Sequence, residues 1–193
     1  MADRCNTIRL YSFQTDVVYQ VLKRDGVCYS KEEYVRKKYK ESAKVFINAY
    51  GWFVKEAQHI VPKPEGAEYP YWAFTDLYNV DQTGDGHVLT LDVPIGEAIL
   101  FDMFDWTKIM QMHYIGENES EEATFSEELK NMGMNEFQIM TSNFYPEQKA
   151  RIQESWKRLF GHQQAIEAGD NSGVHSVQAG LWCIKDEWII KQF

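Results

Sequence analysis

Long apolar runs are missing from this 193-residue chain. Nowhere do 18 apolar residues follow one another, so no membrane-spanning helix is expected. The opening, Met1-Ala2-Asp3-Arg4-Cys5-Asn6-Thr7, has no apolar centre, so no signal peptide is expected. Cysteine is scarce. Cys5, Cys28 and Cys183 make an odd, scattered set without metal-ligand spacing, which reads as reduced thiols in a cytoplasmic protein. Basic charge is in deficit: 20 Lys and Arg stand against 29 Asp and Glu, a net charge of −9 and a pI near 5.1. That balance argues against strong non-specific nucleic-acid binding, which needs a basic surface to release counterions. His59, His87, His113, His162 and His175 form no H-x-H or H-x-x-x-H pair, so no metal site is expected from them. Nucleophile elbows, Walker loops and G-x-G-x-x-G turns are absent too. What remains is 44% hydrophobic and 15% aromatic residues, enough to bury one core in a single domain spanning 1–193.

The pattern along the chain is mixed. Thr7 to Phe13 alternates apolar and polar residues and predicts a strand. Thr15 and Asp16 then open a helix that Asp25-Gly26 closes, glycine being the residue that tolerates the left-handed conformation there. Ser30-Lys31-Glu32-Glu33 is a capping box before a long helical pattern through Val35, Tyr39, Ala43, Phe46, Ile47, Tyr50, Val54 and Ala57. Tyr69 to Phe74 and His87 to Val93 predict two strands, joined as a long hairpin by the turn Asp81-Gln82-Thr83-Gly84-Asp85-Gly86. That turn has the oxygen-and-glycine offsets of a calcium loop. Strand-like flanks, Pro94 and the short Asp92 at the twelfth position favour a plain turn.

A helix from Met103 to Tyr114 is followed by an acidic stretch, Glu117 to Glu128, which reads as a solvated loop, with a second capping box at Thr124 and Glu127. Pro146 starts a further helix with Ile152, Trp156, Leu159 and Phe160 on one face. The chain closes on a strand from Val177 to Ile184 and a short apolar end. The order of elements predicts α+β: one mostly antiparallel sheet with several flanking helices.

Alternation in the last strand places Gln178, Gly180 and Trp182 on one side. An amide, a gap and an aromatic wall describe the floor of a cleft; an ordinary hydrogen-bonded glutamine on a sheet face is the plainer alternative. Arg9, Tyr11 and Gln14 pose the same choice at the other end of the chain.

Taken together, the two ends resemble a bacterial family, domain of unknown function 3841. The likeness rests on Arg9-Leu10-Tyr11-Ser12-Phe13-Gln14-Thr15, Tyr69-Pro70-Tyr71-Trp72-Ala73-Phe74, Leu91-Asp92-Val93-Pro94, Asp105-Trp106, Glu154-Ser155-Trp156-Lys157-Arg158-Leu159-Phe160 and Val177-Gln178-Ala179. A second resemblance is to the ADP-ribosyltransferase superfamily, in the first strand and helix up to Gly26 and in Gln178-Ala179-Gly180-Leu181. It implies an ADP-ribosyltransferase-like fold with NAD, or a related nucleotide, in a cleft between the first and last strands. Gln178 would then be the catalytic-site residue on the ribose and Arg9 the phosphate contact. Tyr71 or Trp72 would stack on a ring, while Tyr11, Gln14 and Trp182 complete the cofactor site. The target would be a nucleic acid or a protein. Gly180 stands where that superfamily carries its catalytic glutamate, and Ser12 where many members have a histidine, which puts transfer itself in doubt. The alternative expectation is a non-catalytic interaction protein, a regulator or antagonist of a bacterial defence system, docking through the acidic stretch.

Overall fold

In the computed structural model, residues 6–33, 36 and 43–192 are described. Six strands form one sheet in the order β5-β6-β3-β1-β4-β8, and every pairing in it is antiparallel. These strands are β1 (Thr7–Gln14), β3 (Tyr71–Phe74), β4 (His87–Pro94), β5 (Ala98–Asp102), β6 (Val177–Leu181) and β8 (Ile189–Gln192). A two-stranded ribbon joins β2 (Val27–Tyr29) to β7 (Cys183–Lys185). The coarse expectation holds: one α+β unit, an antiparallel sheet, helices around it.

Local chemistry explains several boundaries. Helix α1 (Asp16–Asp25) stops at Gly26, whose φ of 75° lets its N–H turn back to the Leu22 carbonyl. Helix α6 (Pro146–Ser155) begins on Pro146, then tightens into a 3-10 segment, Trp156–His162, that keeps Trp156 and Leu159 buried.

Four expectations are corrected. The strands β3 and β4 are not a hairpin, because β1 lies between them and pairs with both. The glycine turn therefore carries the chain across the end of β1. Gly86 is required there because a Cβ would fall 2.4 Å from the Gln14 carbonyl oxygen. The final strand breaks at Trp182, so that β6 belongs to the large sheet and β7 to the ribbon. The acidic stretch is helix α4 (Glu119–Asn131), not a loop: Asn118 accepts the Glu121 N–H, and three glutamates occupy its first turn, where the helix dipole favours them. Finally, Ser30 bridges to Tyr69 in extended structure, and the carboxylate of Glu68 accepts the Glu32 N–H. Val35 and Tyr39 lie outside the described residues.

The sheet separates two cores. On one face, Leu10, Tyr71, Ala73, Leu89, Leu91, Leu100, Ala179 and Leu181 pack with Leu22 of α1 and with the ribbon. On the other, helices α2 (Ala43–Ala57) and α3 (Met103–Met110) bring Phe53 and Trp106 onto Phe101, Trp72 and Trp182. Phe53 is fully buried at the centre of this aromatic core. The outer edge of β5 is closed by a side chain. Gln163, opening α7 (Gln163–Glu167), accepts the Leu100 N–H and donates to the Ala98 carbonyl, as a neighbouring strand would.

Candidate functional site

Strand register lines up one row across the aromatic face: Phe101, Gln178, Phe74, Tyr11, Thr90 and Lys191, one from each of the six strands. Side chains of residues paired in register point to the same side, so this row lies along one face of the sheet, buried at Phe101, Gln178 and Thr90 and partly open at Phe74 and Tyr11. Two members are unusual. Gln178 is only 3% exposed, and its amide has no partner among the described residues. Thr90 is 4% exposed, and its Oγ1 is the one fully enclosed side-chain polar atom among the described residues that makes no hydrogen bond. Leaving such a group unpaired costs about 1–3 kcal/mol, and native interiors contain few of them. Between the two lie Phe74 and Tyr11, both partly exposed rings. Three strand spacings put the two unpaired groups roughly 14 Å apart. A strip with an amide at one end, a hydroxyl at the other and two rings between suits a planar ligand with polar edges.

The residues nominated from sequence divide between the faces. Gln178, Tyr11, Trp72, Trp182 and Arg9 share the aromatic side. Gln14 and Tyr71 do not: alternation sends them to the opposite face. There the Gln14 Nε2 donates to the Ser12 Oγ, and the Tyr71 hydroxyl donates to the Cys28 Sγ. Neither can line a cleft with Gln178. Trp182 is no open wall, since it is buried and its indole N–H donates to the Val61 carbonyl. Trp72 is held by Tyr50, whose hydroxyl accepts its indole N–H, and it packs edge-on to Phe53. The gap expected at Gly180 is filled: a Cβ there would fall 2.8 Å from the Phe53 ring. Arg9 is exposed and committed to Asp92, with Nε and Nη2 at 2.5 and 3.2 Å from the two carboxylate oxygens. Nor is there an open cleft directly between β1 and β6, because β3 fills that place in the sheet.

Sequence reading passed over Thr90 and Phe74. The signal for Thr90 was present: in His87 to Val93, Leu89, Leu91 and Val93 take one face, leaving Val88, Thr90 and Asp92 on the other. It also passed over two titratable clusters. At the end of β5, Asp102 caps α3 through the Phe104 N–H and accepts the backbone N–H of His175 and of Ser176. These bonds, with the His175 ring, hold its carboxyl below the ordinary value although burial opposes them. One turn on, Asp105 is pushed up by burial, only partly offset by Lys108. The second cluster, where α3 meets α4 and α5 (Glu136–Thr141), joins Lys108 to Glu122 at 2.6 Å and, just past α3, His113 to Glu136, which raises the His113 pKa. There the charged groups satisfy one another.

Among the described residues no group of His, Cys, Asp and Glu could hold a metal ion, and no helix is long and apolar enough to cross a membrane. A family model described as a domain of unknown function (DUF3841) matches residues 9–190, and the chain belongs to that family. No curated protein and no solved structure matches it.

Proposed function

We propose that this chain binds a nucleotide, NAD or a relative of it, along the strip Gln178–Phe74–Tyr11–Thr90, and that it binds without transferring. The observation that carries the reading is a row of two rings between Thr90, whose enclosed Oγ1 makes no hydrogen bond, and Gln178, whose amide makes none among the described residues. A nucleobase offers a π face for Phe74 and Tyr11 and a donor–acceptor edge for the Gln178 amide. The resemblance to ADP-ribosyltransferases points to the same ligand class. Against transfer stands Gly180: the position of the expected glutamate is glycine and lies under Phe53. A glutamate introduced there would displace that ring, so Gly180→Glu is expected to disrupt the core and gain no activity.

Docking through an acidic surface is less favoured. Glu121 pairs with Arg158, Glu122 with Lys108 and Glu128 with Arg151, so much of the charge on α4 is met within the chain.

The test is thermal unfolding of the wild type with NAD, ADP-ribose, AMP and adenosine. A ligand at a hundredfold over its dissociation constant stabilises by roughly 2.7 kcal/mol, a clear shift. No shift with any of the four would overturn the reading.

A further inference from the structure

The end of the sheet where β5 and β3 finish and β6 begins carries a second arrangement, outside the strip described above. The Asp102 carboxylate is 5% exposed, and its Oδ2 lies 2.8 Å from the Nδ1 of His175, whose side chain is 73% exposed. With its Nδ1 edge on that buried carboxylate, His175 leaves its Nε2 edge open. The ring is held from a second side by Phe104, 4.9 Å away between centroids and itself half exposed. The loop after β3 packs against the same segment, Asn79 Nδ2 donating to Ser176 Oγ. An imidazole held at Nδ1 by a carboxylate, open at its other nitrogen and packed on one half-exposed ring is the arrangement of an acid–base pair.

We propose that His175 is a catalytic general base, with Asp102 as its positioning residue, for hydrolysis of uncharged aryl esters. The substrate class follows from the surroundings. The buried Asp102 carboxylate against the imidazole disfavours anionic phosphate esters, whereas Phe104, half exposed, offers a ring face. In the reaction, Nε2 takes a proton from water as the water oxygen bonds the acyl carbon. The carbonyl re-forms as the carbon–aryloxide bond breaks, and the imidazolium, stabilised by Asp102, returns the proton to the departing aryloxide. One water is consumed; one carboxylic acid and one phenol are released.

The probe is p-nitrophenyl acetate, with N-acetylhistidine at equal concentration as the reference. Wild type is expected to exceed the reference at least tenfold in second-order rate constant. His175→Gln should fall to the reference level, and His59→Gln, which removes an exposed histidine elsewhere, should leave the rate unchanged. Phe104→Ser should raise KM with kcat nearly constant. Asp102→Asn retains a side-chain oxygen to cap α3. It should lower kcat more than it raises KM and reduce the share of the Nδ1–H tautomer of His175 in nitrogen-15 spectra. A wild-type rate at the reference level, a full rate in His175→Gln, or an unchanged tautomer share in Asp102→Asn would each overturn the proposal.

Discussion

The two faces of the sheet treat buried polar groups in opposite ways. On the face of α1 and the ribbon, Gln14 donates to Ser12, Ser12 donates to the Trp72 carbonyl, and Tyr71 donates to Cys28, so the polar side chains form short closed chains. On the aromatic face, Thr90 Oγ1 is enclosed without a hydrogen bond, and the Gln178 amide makes none among the described residues. Composition does not explain the contrast, since both faces are built from the same strands. A fold under selection for stability alone closes its polar groups or replaces them with apolar ones. The closed face follows that rule and the aromatic face departs from it at Thr90, the departure on which the proposed nucleotide site rests.

Perturbing the aromatic core should have the largest effect. Phe53→Ala removes the ring that meets Trp72, Phe101, Trp106 and Trp182, and should cost about 3–5 kcal/mol in chemical denaturation. A cost below about 1 kcal/mol would mean that this face is loosely packed and the comparison ill-founded. Next comes Gln163→Leu, which leaves the Leu100 N–H and the Ala98 carbonyl without their partner; roughly 2–3 kcal/mol should be lost, with faster amide exchange along β5. On the closed face, Ser12→Ala should cost about 1–3 kcal/mol, because it strips Gln14 of its acceptor. If it costs nothing, the closed chain does not stabilise and the two faces are alike.

The smallest expected effect is electrostatic. Glu136 raises the His113 pKa above 6.5, so its contribution is full below pH 6.5 and is lost as pH rises through the raised folded value. His113→Gln should flatten the dependence of the melting temperature across that window. The side chain is nearly half exposed, so the effect should be slight and weaken with salt.

Much of this was legible in the sequence, and the losses have physical reasons. Alternation identified β1 and β4, Gly26 ended α1, and Pro146 began α6, because each signal is local. Alternation also put Gln178, Gly180 and Trp182 on one side, as they are. It could not say what covers that side. Phe53 comes from 125 residues upstream of Gln178 in the chain and fills the space over Gly180. Period-2 patterns report faces and not neighbours, so β3 and β4 were joined as a hairpin although β1 separates them. In α4 the glutamates masked an amphipathic helix in which only Phe125 and Leu129 are buried. The strip from Gln178 to Thr90 joins residues from four strands through register alone, and no sequence spacing encodes it.

The central claim is that Gln178 is left unpaired for a ligand, and Gln178→Leu tests it most directly. Melting curves of the wild type and the variant should be recorded with and without NAD. Without ligand the variant should be about as stable as the wild type, since the amide makes no hydrogen bond among the described residues and an apolar side chain of similar size replaces it. With NAD it should lose most of the wild-type shift. A variant destabilised by several kcal/mol without ligand, or one that keeps the full NAD shift, would contradict the account.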